Sequence, residues 1–144
     1  MLHHVSLEVA PADVERTVEF FGILGFQRIP APDSIAPFVT WLESPIARPS
    51  TAERVRASRT ARHPGSLESG TTQIHLIHTP EPTTPMLGHP AVVAADFEDT
   101  VGGLRAAGFT VEDADELWGE RRSFAVMPGG GRVEVMAAPP APST

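Results

Sequence analysis

The side chains in this sequence that could do chemistry are those that bind metal ions through nitrogen or oxygen. The chain has 6 histidines and 18 aspartates and glutamates, and it has no cysteine. Disulfides, thiolate nucleophiles and cysteine-based zinc sites are therefore excluded, so any metal would be held by His, Asp or Glu. This set of donors suits zinc, iron, nickel, manganese or cobalt.

The elements that would position such residues occur twice along the chain in the same order. In the first half, the alternating segment 2–9 predicts a strand. Pro11 opens a helix predicted over 12–24, where the missing N–H of proline costs nothing. Gly25 is a natural C-terminal cap for this helix, and a second strand is predicted over 26–29.

The second half repeats this plan. A strand is predicted over 88–95, and Asp96 stands where the N-cap of a helix is expected. The spacing of apolar residues predicts a helix over 97–107. Gly108 would cap it, and a strand restarts at Phe109. A histidine, a helix and a Gly-Phe pair therefore follow one another in both halves at nearly the same spacing.

Two further strands complete each half, so each half is predicted to be a β-α-β-β-β module. They are predicted over 38–43 and 72–78 in the first half, and over 122–127 and 132–137 in the second. We expect one α+β domain made of two modules, residues 1–80 with a long loop over 45–70 and residues 86–138. Residues 139–144 are expected to form a flexible tail.

The composition indicates an ordinary compact domain with an acidic surface. The chain has 144 residues and a formal net charge of −7, and all 11 basic residues are arginine. This balance argues against nucleic acid as a partner, because phosphate binding needs a basic surface. No apolar stretch approaches the roughly 20 residues that span a bilayer, and the N-terminus shows no basic and apolar leader. We therefore expect no membrane contact and a cytoplasmic location.

The duplicated plan and three local motifs are similar to those of the vicinal oxygen chelate superfamily, which includes glyoxalase I, the bleomycin-resistance proteins and the extradiol dioxygenases. The segment HHVSLEV followed by ADVERTVEFFGILGF resembles the opening strand and helix of that family. GHPAVVAADFEDTVGGLRAAGF resembles its second opening, and MPGGGRVEV resembles its final hairpin. The resemblance covers nearly the whole chain except loop 45–70 and the tail. It implies the glyoxalase-like fold, in which the two modules form a cupped mixed sheet.

The resemblance also implies up to four metal ligands, one from the first strand and one from the last strand of each module. At the matching positions this sequence has His4, His75, His89 and Glu134, all of which can bind a divalent metal. Strand alternation agrees with this assignment, because each candidate alternates with apolar neighbours and would face the concave side of the sheet. The segment around His89 is apolar on both faces and is the weakest case.

Two ligand sets remain open at this point. If all four residues bind the metal, three neutral histidines and one carboxylate leave it a strong Lewis acid. If His75 does not bind, then His4, His89 and Glu134 form the two-histidine, one-carboxylate arrangement of non-haem Fe(II) oxygenases. The last strand of the first module more often carries Glu or Gln in the family, which puts His75 in question.

The function implied by the resemblance is metal-dependent chemistry on a small oxygen-rich metabolite. A divalent metal that chelates two adjacent substrate oxygens would serve a lyase, an isomerase or a dioxygenase, with Glu134 doubling as a base. The alternative is a non-catalytic antibiotic- or metabolite-binding protein of the bleomycin-resistance type. We also expect a homodimer, with the cavity formed either within one chain or between two exchanged chains.

Two other features have both a functional and a plain interpretation. Glu8 and Glu43 are further candidate carboxylates, although an exposed Glu at a strand end is more often simply solvated. Five arginines in loop 45–70 would either cover an anionic ligand or belong to a solvated surface loop.

Overall fold

The fold consists of two sheets with one helix each, in a computed structural model that describes residues 3–44 and 72–140. The first module contains β1 (His4–Val9), a 3-10 turn (Pro11–Asp13), α1 (Val14–Ile23), β2 (Gln27–Ile29), β3 (Val39–Glu43) and β4 (Gln73–His78). The second contains β5 (Ala91–Val93), α2 (Phe97–Ala106), β6 (Val111–Ala114), β7 (Arg122–Val126) and β8 (Arg132–Met136). The predicted α+β class and the β-α-β-β-β order are confirmed in both halves. Loop 45–70 and most of the tail predicted over 139–144 lie outside the described residues.

The two sheets have the same topology. Their strand orders are β1-β4-β3-β2 and β5-β8-β7-β6. In each sheet the first and last strands of the module are paired in parallel, and the remaining pairs are antiparallel. The first strand of a module therefore lies at the edge of its sheet, next to the strand that ends the module.

The helix ends follow from local residue types. Pro11 begins the 3-10 turn that precedes α1, so the helix predicted over 12–24 starts with a tighter turn. Gly25 and Gly108 follow the two helices with φ angles of 91° and 82°, a region that only glycine adopts readily. Both predicted C-terminal caps are confirmed by this geometry.

The largest difference from the predicted strand bounds lies in the second module. Its first strand was predicted over 88–95, but β5 covers only Ala91–Val93, so His89 precedes the strand. The reason is Pro90, which has no N–H to donate to a neighbouring strand. Its carbonyl still accepts a hydrogen bond from the Glu134 backbone N–H at 2.9 Å, which places His89 next to β8.

One hydrophobic core joins the two modules. It contains buried side chains from both helices and both sheets, among them Phe20, Phe21, Leu42, Leu76, Leu104, Val133 and Val135. The rings of Phe20 and Phe109 meet edge to face at 5.1 Å, across the boundary between the halves. Arg16 of α1 lies over the Phe109 ring and donates a hydrogen bond to the Ala107 carbonyl at the end of α2. Side chains of both modules are therefore in direct contact in this core.

Each sheet has one face toward this core and one open face. In the first sheet, Leu42, Ile74 and Leu76 face the core, and the intervening residues face outward. In the second sheet, Val133 and Val135 face the core in the same way. The polar candidates of β1, β4 and β8 thus lie on the open faces, as strand alternation predicts. Neither helix of the described ranges has the length and apolar character needed to cross a bilayer.

We predict that Asp96→Ala lowers the free energy of unfolding by about 1 kcal/mol, because it removes the N-cap of α2. The Asp96 carboxylate accepts a hydrogen bond from the Asp99 N–H at 3.0 Å. Asp13 occupies the equivalent position before α1 but makes no side-chain cap hydrogen bond. Urea unfolding of Asp96→Ala and Asp13→Ala should therefore show a clearly larger loss in the first. Equal losses in the two variants would contradict the assigned cap.

Candidate functional site

The second sheet brings together a histidine and a buried carboxylate. Glu134 lies in the middle of β8 with only 8% of its surface exposed. His89 precedes the neighbouring strand β5, and its Nε2 lies 3.4 Å from Oε2 of Glu134. The ring of His89 also meets the edge or face of Phe124 at 5.0 Å, nearly perpendicular to it. Two of the four predicted ligand positions are therefore adjacent.

The hydrogen bond on the other side of the His89 ring fixes which nitrogen is free. Nδ1 lies 2.8 Å from the carbonyl oxygen of Leu87. A carbonyl oxygen only accepts, so Nδ1 carries the proton, and in the neutral ring Nε2 carries the lone pair. Histidines that bind metals usually donate their second ring N–H to a carbonyl or carboxylate in this way.

The spacing of the two free donor atoms also fits a metal ion. Two donor atoms that each lie about 2.0–2.2 Å from one tetrahedral ion stand roughly 3.4 Å apart. The separation between His89 Nε2 and Glu134 Oε2 is 3.4 Å. The distance between these two atoms therefore equals the one expected between two ligands of one divalent ion.

The second oxygen of Glu134 is occupied by an arginine. Nη1 of Arg122 donates to Oε1 of Glu134 at 2.8 Å, and the side chains are 14% and 10% exposed. Nε of Arg122 donates to the Asp115 carbonyl at 2.7 Å, which holds the guanidinium in place. Arg122 therefore neutralises the buried carboxylate of Glu134 and leaves Oε2 facing His89.

The first sheet brings together the other two predicted ligands, but in a different arrangement. The rings of His4 and His75 are stacked, with centroids 4.3 Å apart and planes 11° from parallel. Trp41, which pairs with His75 across β3 and β4, stacks on its other face at 4.4 Å and 4°. The open face of this sheet thus carries three parallel aromatic rings.

The stack prevents His4 and His75 from binding the same ion. A metal ion lies close to the plane of each imidazole that binds it, at about 2.0–2.1 Å from the nitrogen. The two rings lie in nearly parallel planes that are stacked, so one ion cannot lie in both. Of the two ligand sets left open by the sequence, this geometry favours the one without His75.

A hydrogen-bond chain gives His75 a different role. The amide nitrogen of Gln73 donates to Glu43 at 3.3 Å, so its amide oxygen faces His75 and accepts from Nε2 at 3.0 Å. Burial, and then the neighbouring His4 and His3, lower the pKa of His75 below its ordinary value. His75 is therefore held as a neutral ring inside the stack.

The four predicted ligands thus form two pairs, His4 with His75 and His89 with Glu134. Within residues 3–44 and 72–140 of one chain, no group of three or more His, Asp or Glu side chains is placed to hold a metal. The predicted convergence of all four on one ion is not found in that part of the single chain. The exchanged arrangement between two chains, which the sequence left open, stays a prediction.

A cavity of about 490 Å³ separates the edge strands of the two sheets. Ser6 and its neighbours in β1 form one wall, and His89 and Ala91 form the opposite wall. Its volume is in the range of small-molecule sites. The cavity is lined by His89, so a ligand bound there would lie beside the candidate metal pair.

The other carboxylates considered from the sequence have structural partners. Oε2 of Glu8 accepts from the Thr83 backbone N–H at 2.6 Å and ties β1 to the linker between the modules. Glu43 belongs to the hydrogen-bond chain with Gln73. The sequence analysis did not identify Arg122. It could have been placed on the same face as Glu134 only from its position two residues before Phe124, which pairs with Glu134 across β7 and β8.

Solved structures with the same architecture come from several bacteria. A glyoxalase family protein from Bacillus anthracis is 17% identical, with a TM-score of 0.66, and the match covers 94% of this chain and 93% of that one. The chain has the fold of the vicinal oxygen chelate proteins. A glyoxalase/dioxygenase from Nostoc punctiforme is 15% identical, with a TM-score of 0.60 and coverage of 96% and 91%.

The same vicinal oxygen chelate fold occurs in a bleomycin resistance determinant encoded on the transposon Tn5, with 11% identity, a TM-score of 0.52 and coverage of 92% and 94%. No family model and no curated protein matches the chain by sequence. At these identities the comparisons establish the fold, and the chemistry has to be argued from the site.

We predict that the stability of the protein falls as the pH drops through about 6.5, partly because of His75. The pKa of His75 is lower in the folded chain than in the unfolded chain, so the folded state binds fewer protons and is favoured above that pH. Urea midpoints measured at roughly pH 7.5 and pH 5.5 should differ more for the wild type than for His75→Phe, which keeps a planar ring. A His75→Phe variant whose midpoints change with pH as much as those of the wild type would contradict this assignment.

Proposed function

We propose that the protein is a metal-dependent enzyme of the vicinal oxygen chelate type that acts on a small oxygen-rich metabolite. The reaction class is lyase, isomerase or dioxygenase. The observation that carries this proposal is the pair formed by His89 Nε2 and Glu134 Oε2, 3.4 Å apart, with the opposite nitrogen of His89 bonded to a backbone carbonyl. This tautomer and this spacing together match what two ligands of one divalent ion require.

The third ligand in this proposal is His4 of a second copy of the chain. The described part of one chain supplies only two suitably placed donors, His89 and Glu134. His4 is exposed on the open face of the first sheet and belongs to the edge strand β1. A homodimer that apposes the open face of one first module to the second module of its partner would complete a two-histidine, one-carboxylate set.

The residues of the chain divide the work of such a site. When bound, a divalent metal would polarise two adjacent oxygens of the substrate. Arg122 holds Oε1 of Glu134 and thereby leaves Oε2 facing His89, where the metal would bind. Oε2 of Glu134 would accept a proton from the carbon beside a substrate carbonyl only after leaving the metal, since the same atom is the proposed ligand. Phe124, perpendicular to His89, would limit the access of water.

A second candidate function is the sequestration of an antibiotic or metabolite without chemistry. The three-ring stack of His4, His75 and Trp41 on an open sheet face favours it, because parallel aromatic rings suit contact with flat ligands. In that case neither His89 nor Glu134 would need a metal. Metal content therefore separates the two functions.

We predict that untagged protein incubated with zinc, nickel, manganese or iron(II) and then dialysed retains about one metal ion per chain. Elemental analysis of His89→Ala and Glu134→Gln should show that the metal is lost, because each removes a ligand. Glu112→Gln is the matched control, since Glu112 lies on the same face of the second sheet two strands away from Glu134. Wild-type protein that retains none of these metals would contradict the metal-dependent enzyme and favour the non-catalytic binding protein.

We predict that a mixed dimer of His4→Ala and Glu134→Gln chains retains about half the metal of the wild type. If the site is shared between chains, one site of the mixed dimer carries both changes and the other carries neither. Differently tagged chains can be co-expressed, purified as the mixed dimer, freed of their tags and measured. A mixed dimer with no metal would show that the ligands come from one chain, because each of its sites would then carry one substitution. A purely monomeric protein would contradict a site shared between two chains.

A further inference from the structure

Arg132 differs from every other arginine in the described residues. Five of these arginines pair with a carboxylate: Arg16, Arg28, Arg105, Arg121 and Arg122. Arg132, at the start of β8, has no carboxylate partner within residues 3–44 and 72–140. Its guanidinium lies 5.2 Å from the centre of the Phe124 ring, which orients it without neutralising it.

Arg132 also lines the 490 Å³ cavity together with His89. Most of the remaining wall is apolar and comes from β1, the linker and the strands of the second sheet, as Val5, Leu7, Pro85, Pro90, Ala91 and Met127. Polar side chains are few among the described lining residues, namely Ser6, His89 and Arg132, and Arg132 is the one that is permanently charged. A mostly apolar cavity with a few polar groups is the usual form of a small-molecule site.

The chemistry of this wall selects a class of ligand. A guanidinium without a partner presents a planar pair of donors that matches both oxygens of a carboxylate. One such group balances one negative charge, whereas a phosphate dianion would require more. The apolar remainder suits a hydrocarbon or aromatic body rather than a sugar.

We propose that this cavity binds a monocarboxylate with an apolar body, and that Arg132 holds its carboxylate. The assignment of this ligand as the substrate rests on the proposed function, because His89, one of the two proposed metal ligands, lines the same cavity. The binding of the carboxylate itself does not require a metal. The two proposals therefore fail separately.

The test is a titration of metal-free protein, kept in EDTA, with phenylacetate and with its neutral isostere phenylacetamide, followed by ligand-observed NMR or calorimetry. Phenylacetate should bind the wild type about tenfold more tightly than phenylacetamide, because a charge-assisted pair is lost with the amide. Arg132→Gln should abolish this preference, and Arg132→Lys should keep part of it, since it retains the charge without the paired donors. Circular dichroism verifies that each variant is folded.

Arg105→Gln is the matched control, because Arg105 pairs with Asp113 on the surface and does not line the cavity. It should keep the wild-type preference. Equal binding of the two probes by the wild type, or an unchanged preference in Arg132→Gln, would overturn the proposal. Inorganic phosphate that binds as tightly as phenylacetate would overturn the assignment to a carboxylate with an apolar body. If wild-type protein does not bind metal, the proposed function is refuted, but the preference for phenylacetate measured here would still support carboxylate binding by Arg132.

Discussion

The charge of Glu134 is the constraint on which the second half of the molecule depends. Its side chain stands on β8 between Val133 and Val135, both fully buried, and is itself 8% exposed. Removing one partner from a buried ion pair costs about 3–5 kcal/mol in proteins. Arg122 of β7 compensates the charge of this carboxylate at Oε1, and His89, the residue before Pro90, lies beside Oε2.

The duplication of the module produces two faces with the same topology and different chemistry. In the second sheet, a carboxylate, an imidazole and a guanidinium make polar contacts that depend on charge. In the first sheet, the corresponding positions are filled by His4 and His75, which stack with Trp41. The duplicated fold thus places the residues at equivalent positions. Their side chains differ, so one face carries charged and polar groups and the other carries stacked aromatic rings.

The sequence was sufficient for the order of helices and strands because periodicity and helix caps are local signals, and the resemblance to the vicinal oxygen chelate proteins implied the cupped arrangement of the modules. Alternation placed His4, His75 and Glu134 on the open faces, and Gly25 and Gly108 marked the ends of both helices. The stack could not be predicted, because the ring orientations depend on a cross-strand neighbour. Arg122 and Arg132 were missed for the same reason, since their roles come from pairing between β7 and β8 and from the space beside β5. The short β5 follows from Pro90, whose effect on strand length depends on its partner strand.

The two tryptophans of the chain give each half its own optical reporter. Trp41 lies against His75, whereas Trp118 donates to the Ala138 carbonyl and lies 6.0 Å from the guanidinium of Arg122. Indole fluorescence responds to a nearby cation and to the protonation of a neighbouring ring. Variants that keep a single tryptophan would therefore allow events on the aromatic face and on the ionic face to be followed independently in the same molecule.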